Sequence, residues 1–208
     1  MPAPLTPEGF ARLTDVSRET LERLDLYATL LLRWQARMNL VAATTLADPW
    51  RRHFLDSAQL RPLLPDPPGP LGDLGSGAGF PGLVLAILGV SPVTLVESNA
   101  RKCAFLREVA RATETRVDIF AGRIETFQLR PLAQVVTARA LAPLEKLLGL
   151  AAPLLAPGGF CLFLKGAQVE RELTLAAKTW KMSVERIRSL SDDQATILKI
   201  RGLASHDS

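Results

Sequence analysis

The stretch Asp73-Leu-Gly-Ser-Gly-Ala-Gly-Phe-Pro-Gly82 decides the fold of this chain. An apolar run typical of a β-strand, Leu71–Leu74, leads into it, and Leu83–Gly89 follows with helical spacing. Glycines at alternate positions let the backbone turn sharply and let a ligand approach without a Cβ in the way. Pro81 has the fixed φ angle that suits the start of a helix. The stretch therefore predicts a strand, a ligand-binding turn and a helix, which together open an α/β sheet.

Short apolar runs and helical segments alternate from Leu71 onward. We predict strands over Leu71–Leu74, Val93–Glu97, Val117–Phe120, Gln134–Ala138 and Phe160–Lys165. Helical spacing lies between them, over Leu83–Gly89, Ala100–Ala112, Leu144–Leu155 and Val169–Trp180. This alternation is typical of a mostly parallel sheet with helices on both faces. Two further runs, Val184–Ile187 and Ala195–Ile200, lie so close in sequence that they predict an antiparallel hairpin at the edge of a seven-stranded sheet.

The segment before the sheet has helical spacing of its own. Apolar side chains recur from Leu21 to Trp34, and Asp48-Pro49 is a typical N-cap and first residue of a second helix. We expect an N-terminal helical subdomain over residues 1–65 and a proline-rich linker over 66–70. The α/β domain then covers residues 71–201, and a tail that frays covers residues 202–208.

The glycine turn fits two classes of ligand. Gly77, Gly79 and Gly82 match the G-x-G-x-x-G pattern of dinucleotide-binding folds, and Glu97 stands where such folds bind ribose. A diphosphate is repelled by a carboxylate beside the turn, because the charges are alike. Asp73 therefore favours S-adenosylmethionine, which carries a sulfonium and an ammonium group.

An NAD-dependent oxidoreductase is the alternative enzyme. Such an enzyme needs a proton donor near the hydride, and His53 and His206 are the two histidines of the chain.

Composition and charge limit the class of protein only broadly. The 208 residues carry 25 basic and 21 acidic side chains, and 19 of the basic ones are arginine, whose planar guanidinium suits phosphate. A net charge of +4 permits an RNA partner without requiring one. No apolar run has membrane-spanning length, no secretory signal is visible, and Cys103 and Cys161 have no metal-ligating neighbours. We expect a cytoplasmic monomer with no metal site and no membrane segment.

Further motifs follow one another in a fixed order along the chain. The most specific are the Gly-Phe-Pro-Gly ending of the glycine turn and the Arg139-Ala140 pair. The others are Trp34 with Arg37-Met38-Asn39-Leu40, His53-Phe-Leu-Asp56-Ser57, Val96-Glu97-Ser98, Arg101-Lys102, Phe105-Leu106, Gly122-Arg123-Ile124-Glu125, Thr137-Ala-Arg-Ala140 and Leu164-Lys165-Gly166. Over about residues 25–201 the chain resembles the bacterial small-subunit ribosomal RNA methyltransferase G family, also called glucose-inhibited division protein B.

The resemblance implies a Rossmann-like class I methyltransferase that uses S-adenosylmethionine to methylate N7 of one guanine in the decoding-region loop of 16S rRNA. The RNA partner is then 16S rRNA or the small ribosomal subunit. The resemblance also implies cofactor contacts at Gly75 and Phe80, at Ile124-Glu125 beside the adenine, and at Arg139 near the methionine. Three further candidate cofactor contacts come from the glycine turn and the second predicted strand: Asp73, Gly77 and Glu97.

Methylation of guanine N7 needs little acid–base chemistry. N7 keeps an exposed in-plane lone pair, so it can attack a sulfonium methyl without first losing a proton. Alignment of the nitrogen, the methyl group and the sulfur can then supply most of the rate. The segment Thr137-Ala-Arg-Ala-Leu141 accordingly contains no Asn/Asp-Pro-Pro-Tyr cluster. Arg139 is the candidate catalytic residue and would pair with the methionine carboxylate or guanine O6. The alternative is a structural arginine bound to Asp73 or to a helix end.

Three more residues are candidates for contact with RNA. Arg52 and His53 could bind phosphates, although a solvated helix face or a surface pair between His53 and Asp56 would explain them equally well. Lys165 ends the fifth strand, where open α/β sheets bind ligands. Trp34 lies on an apolar helical face, and we expect it in the core. An RNA-binding protein with a vestigial cofactor fold is the alternative that is not an enzyme.

Overall fold

The computed structural model describes residues 3–206, which form seven strands and seven α-helices. The strands are β1 (Leu71–Leu74), β2 (Val93–Glu97), β3 (Asp118–Ala121), β4 (Ala133–Arg139), β5 (Leu155–Lys165), β6 (Trp180–Arg188) and β7 (Thr196–Ser205). The helices are α1 (Pro7–Thr14), α2 (Arg18–Gln35), α3 (Asp56–Ala58), α4 (Gly82–Ile87), α5 (Ala100–Ala112), α6 (Leu144–Ala151) and α7 (Val169–Ala176). A π-helical segment, Trp50–Leu55, leads directly into α3.

All seven strands belong to one sheet in the order β3-β2-β1-β4-β5-β7-β6. Neighbours from β3 to β5 are parallel, whereas β7 is antiparallel to both β5 and β6. The Rossmann-like sheet and its antiparallel edge hairpin are therefore as the sequence predicts. Strand order reverses at the β1–β4 pair, so the carboxyl ends of these two strands form the edge where open α/β sheets bind ligands.

Local capping signals set where the helices begin. At α2, Ser17 Oγ accepts a hydrogen bond from Thr20 N at 3.1 Å, and at α5, Asn99 Oδ1 accepts one from Arg101 N at 3.0 Å. The predicted helix start at Asp48 is also confirmed, because its Oδ1 accepts a hydrogen bond from the backbone of Arg51 at 3.3 Å. The sequence contained no signal for the π-helical geometry that follows.

The largest error in the predicted elements lies between α6 and β5. The helix expected over Leu144–Leu155 ends at Ala151, and the strand expected from Phe160 begins at Leu155. Ala133 pairs with Leu155 and Val135 with Phe160, so the intervening residues of β5 bulge out of the ladder. These residues include Pro157 and two glycines, one of which, Gly158, has φ of +77°. Proline and glycine are typical of β-bulges as well as of turns. The sequence alone therefore predicted a connection before the strand, where the structure has a bulge within it.

The edge hairpin is longer than predicted. The helix expected to run to Trp180 ends at Ala176, and Trp180 instead begins β6. Its partner strand extends through Ser205, and Trp180 pairs with Ser205. The fraying tail expected over residues 202–208 is therefore strand as far as Ser205, while residues 207 and 208 lie outside the described part of the chain.

The N-terminal helices and the sheet share one hydrophobic core. A single buried cluster contains Phe10 of α1, Tyr27 of α2, Leu83 of α4, Phe105 of α5 and Val135 of β4. A second cluster fills the other face of the sheet beneath α6 and α7. The first cluster crosses the expected boundary near residue 65, and the division into a helical subdomain over residues 1–65 and an α/β domain over residues 71–201 stays a prediction.

Residues 3–206 contain no group of three or more His, Cys, Asp and Glu side chains placed to hold a metal ion. Within the same range, none of the helices combines the length and the apolar character needed to cross a membrane.

Candidate active site

Two cavities open at the carboxyl edge of the parallel strands. The larger cavity has a volume of about 720 Å³ and the smaller one about 340 Å³. Both are lined by Gly75, Gly77, Lys102 and residues 140–142, so they form a single cleft. Arg52, His53, Phe80, Arg139 and Lys165 line only the larger cavity, and Glu97, Ile124 and Glu125 only the smaller one. The cleft thus brings together every site residue predicted from the sequence except Asp73.

The glycine turn packs too tightly to admit side chains. Gly75 has φ of +63°, and a Cβ at this position would collide with Cδ1 of Leu141. Gly79 has φ of +91°, and a Cβ there would lie 2.5 Å from the hydroxyl of Tyr27. Leu141 and Gly75 both belong to the lining that the two cavities share, which we call the neck of the cleft.

Glu97 joins the glycine turn to the end of β2. Its Oε2 accepts a hydrogen bond from Gly77 N at 2.9 Å, and its Oε1 accepts one from Asn99 N at 2.7 Å. A carboxylate offers about four acceptor positions, so each oxygen can accept another hydrogen bond from a ligand in the smaller cavity. This geometry suits the pair of ribose hydroxyls that the sequence predicts as partners of Glu97.

The rest of the smaller cavity suits a flat heterocycle. Ile124 and Glu125 belong to a 3-10 turn, Ile124–Thr126, at the end of β3. Ile124, Leu141 and Leu150 give the cavity apolar surface, while Glu97 and Glu125 are among the charged side chains of its lining. Apolar surface combined with placed polar groups is the usual form of a small-molecule site.

Asp73 lies behind the turn and not in the cleft. The side chain is fully buried, its Oδ1 accepts a hydrogen bond from Thr137 Oγ1 at 2.8 Å, and its Oδ2 has no hydrogen-bond partner in residues 3–206. Burial raises the pKa of Asp73 to about 6. Asp73 does not line either cavity in this geometry, where the ionised carboxylate would act through its charge from beneath the turn. The direct contact between Asp73 and a cationic ligand stays a prediction.

Arg139 is held to the N-terminal helical segment by one of its nitrogens. Nη1 donates hydrogen bonds to the carbonyl of Arg52 at 2.9 Å, to His53 Nδ1 at 3.0 Å and to Asp56 Oδ2 at 3.2 Å. The guanidinium also lies 4.9 Å from the centre of the Phe80 ring. Within residues 3–206, Nε and Nη2 have no such partner. Arg139 is therefore bound to a helical segment and not to Asp73, the other partner considered for a structural arginine. Its Nε and Nη2 can still donate hydrogen bonds to a ligand.

His53 is a buried neutral imidazole. It is only 4% exposed, and its ring stacks on Phe80 with centroids 4.9 Å apart. Nδ1 accepts from Arg139, so the proton lies on Nε2, which is 2.8 Å from Thr45 Oγ1. Burial, and then the charges of Arg139 and Arg52, lower the pKa of His53 to about 3. The contact between His53 and RNA phosphate stays a prediction, whereas Asp56 pairs with Arg139 and not with His53.

The sequence pattern of the family described as rRNA small subunit methyltransferase G matches residues 20–198. The chain belongs to this family. A protein named Ribosomal RNA small subunit methyltransferase G from Paramagnetospirillum magneticum is 59% identical over 196 residues, which cover 94% of this chain and 95% of that protein. A relative of the same name from Rhodospirillum rubrum is 58% identical, with coverage of 94% and 97%.

Solved structures support the fold of this methyltransferase G family member. The N-methyltransferase NodS from Bradyrhizobium japonicum, in complex with S-adenosyl-L-homocysteine, matches with a TM-score of 0.55 and 15% identity, covering 81% of this chain and 96% of that one. At this identity the likeness concerns the fold alone, and it confirms the class I methyltransferase fold. Membership of the methyltransferase G family makes S-adenosylmethionine the cofactor, so the NAD-dependent alternative is wrong.

The two remaining residues predicted to contact RNA are engaged in ion pairs at the rim of the larger cavity. Arg52 pairs with Asp192, and its side chain is 40% exposed. Lys165 pairs with Glu172 at 2.6 Å and donates a hydrogen bond to the carbonyl of Ala142 at 3.0 Å. Glu172 also accepts a hydrogen bond from Leu144 N at 2.7 Å, so Lys165 and Glu172 jointly hold the loop between β4 and α6.

The loop between β6 and β7 is the part of the site that the sequence did not predict. Ser191 Oγ donates to Asp56 Oδ1 at 2.5 Å, and Gln59 Oε1 accepts from Leu190 N at 2.7 Å. Asp192 contributes the ion pair with Arg52. These contacts hold the loop over the larger cavity. The only signal in the sequence was the serine and aspartate content of this loop, and these residues are equally common in hairpin connections that form no part of a site.

Proposed function

We propose that this chain transfers the methyl group of S-adenosylmethionine to N7 of a guanine in the decoding-region loop of 16S rRNA. The observation that carries the proposal is the two-part cleft, in which Leu141 and Gly75 separate a cofactor-sized cavity from a larger one that contains Arg139. The substrate is a ribosomal RNA in the printed names of the methyltransferase G relatives. The reaction would take place in the cytoplasm, where the small ribosomal subunit is assembled, and a monomer would suffice.

The smaller cavity would bind the adenosine end of the cofactor. Glu97 would accept hydrogen bonds from the ribose hydroxyls, and Ile124-Glu125 would border the adenine. Gly75 and Gly77 would let the cofactor approach the backbone at the neck. The orphaned Oδ2 of Asp73 supports this fit, because a carboxylate buried beneath the turn favours a cation above it.

Phe80 and Arg139 would hold the methionine end in the larger cavity. The guanidinium lies against the Phe80 ring and has two nitrogens free of other partners within residues 3–206. A planar fork of donors suits a carboxylate or guanine O6 equally well. His53 and Asp56 act through Arg139, so we regard them as positioning residues.

The larger cavity contains no side chain ready to remove a proton. Asp56 accepts hydrogen bonds from Arg139, Gln59 and Ser191, and both ring nitrogens of His53 are occupied. The other two acids of the lining, Glu172 and Asp192, form ion pairs. A nucleophile that needs no deprotonation, such as guanine N7, therefore suits this cavity, and the cofactor when bound supplies the electrophilic methyl group.

Methyl transfer to unmodified 16S rRNA tests the proposal. The chain is incubated with S-adenosylmethionine carrying a tritiated methyl group, and the RNA is digested to nucleosides. We expect the label as N7-methylguanosine, with a rate at least about a hundredfold lower for Arg139→Ala, because alignment of the reactants supplies the rate. Label in another nucleoside would refute the base assignment. RNA binding without label would indicate the vestigial alternative.

A further inference from the structure

A third cavity, of about 590 Å³, lies between the carboxyl end of α2 and the amino end of α5. We call it the arginine groove. Arg33, Arg37 and Arg101 line it with exposed side chains, and within residues 3–206 none of the three forms an ion pair or a side-chain hydrogen bond. Three unpaired guanidinium groups around one concave surface form a binding site for anions.

The floor of the arginine groove is rigid. Trp34 Nε1 donates a hydrogen bond to Glu108 Oε2 at 3.0 Å, and the Trp34 ring packs edge-on against Phe105 with centroids 5.6 Å apart. This ring is half-buried, so the expected core position of Trp34 is only partly realised. Glu108 is the one acid of the lining; its carboxylate accepts the hydrogen bond from the indole and, within residues 3–206, forms no ion pair with the three arginines. The groove therefore keeps a positive excess.

The arginine groove lies close to the proposed active site along two segments of the chain. Arg101 is followed directly by Lys102, which lines both cavities of the cleft. Arg37 and Met38 lead along the chain to Leu40 and Val41, which line the larger cavity. Because successive Cα atoms are only about 3.8 Å apart, the two linings lie within a few residues of each other at these points, and a polyanion strand bound in the larger cavity can reach the arginine groove.

We propose that the arginine groove binds backbone phosphates of the rRNA strand next to the nucleotide held in the larger cavity. This inference rests on the proposed function. Arginine is suited to the role, because its fork of donors can bind phosphate oxygens in pairs. An acidic protein would match the charge as well, but the short distance between the groove and the cleft favours the substrate strand.

Substitution of Arg33, Arg37 and Arg101 by alanine tests the role of the groove. We expect the Kd for unmodified 16S rRNA to rise about tenfold or more at low salt. The slope of log K against log salt should decrease by about two, because three phosphate contacts on a single strand are lost. Alanine favours helices, so the thermal midpoint should change little.

A second triple substitution, of Arg107, Arg111 and Arg116 by alanine, is the matched control. These three arginines are exposed, lie on or just after α5 and do not line the groove. Both variants lower the formal net charge from +4 to +1, so an effect of net charge alone would be equal in the two. We expect the control to lose less than about threefold in affinity.

Equal losses in the two variants, or no loss in the groove variant, would overturn the inference. Binding and methyl transfer are measured separately, so the two proposals can fail separately. A wild-type chain that transfers no methyl group refutes the proposed function. A selective loss of RNA affinity in the groove variant supports the groove whatever the methylation result.

Discussion

Two buried titratable residues, Asp73 behind the cleft and His53 in its lining, change the stability of the protein with pH in opposite directions. Burial raises the pKa of Asp73 from 3.8 to about 6, so its contribution is complete below pH 3.8 and is lost as pH rises through about 6. Burial and two neighbouring guanidinium groups lower the pKa of His53 from 6.5 to about 3. The contribution of His53 is therefore complete above pH 6.5 and is lost as pH falls toward 3.

Substitution of His53 by glutamine isolates one of these effects. Glutamine can still accept a hydrogen bond from Arg139 but does not titrate. Between pH 6.5 and 5.0 the free energy of unfolding of the wild type should fall by about 1.7 kcal/mol relative to His53→Gln, because the slope rises from about 0.7 to about 1.4 kcal/mol per pH unit as the unfolded histidine becomes protonated. Urea denaturation at the two pH values measures this difference.

His206→Gln serves as the control, because His206 is exposed and should leave the pH dependence of stability in place. A positioning role for His53 has a separate readout. His53→Leu removes the acceptor of Arg139, so it should lower kcat more than His53→Gln does. Equal kcat values for the two variants would show that this hydrogen bond does not matter to the reaction.

The connection between β6 and β7 is held by the residue that follows α3 as well as by hydrogen bonds among its own residues. Gln59, just after α3, donates from Nε2 to Ser189 Oγ at 3.0 Å and accepts at Oε1 from Leu190 N at 2.7 Å. Both Gln59 and Ser189 are buried, so water cannot replace these hydrogen bonds at low cost. Leu190 itself is 67% exposed and adds little packing.

Substitution of Gln59 by alanine should therefore destabilise the protein by about 2 kcal/mol, because buried polar groups of the loop lose their partners. Urea denaturation measures the change. Gln128→Ala, at an exposed glutamine, is the matched control and should stay within about 0.5 kcal/mol of the wild type. A Gln59→Ala variant as stable as this control would mean that the loop is held by its other contacts.

At the scale of the whole molecule, the N-terminal helices complete the core of the sheet. Tyr27 stacks on Phe80 with ring centroids 5.3 Å apart, and its hydroxyl donates to the carbonyl of Ala78 in the glycine turn. Arg23 of α2 donates to the carbonyl of Thr113 at 2.7 Å, beyond the end of α5. Removal of these helices would expose Phe80 and Phe105, which are now buried.

A chain that begins at residue 66 should consequently fail to fold cooperatively. Large buried aromatic and aliphatic side chains each contribute about 1.5–3 kcal/mol, so loss of several exceeds the usual stability of a domain of this size. Thermal unfolding followed by circular dichroism should show a sharp transition for the full chain and a broad, weak one for the shortened chain. A sharp transition in the shortened chain would establish residues 66–208 as an independent domain.

The order of residues by itself determined the elements with strong local signals. The predicted bounds of β1, β2 and α5 agree with the structure, because buried strands, a capping asparagine and helical spacing all act within a few residues. The glycine turn and Glu97 were likewise recognisable, since turn chemistry and the end of a strand are local features. Local signals failed at the bulge near Gly158, where turn-forming residues stay within a strand.

Only the tertiary structure decided which groups face the ligand and which are neutral. Asp73 and Gly75 are two positions apart, yet Asp73 lies beneath the turn and Gly75 lines the cleft, because successive residues of the turn point in different directions. Arg139 and His53 are 86 positions apart, and folding alone brings them within 3.0 Å. The protonation state of a side chain depends on such distant contacts and on burial. The spacing of nearby residues in the sequence determines neither the contacts nor the burial.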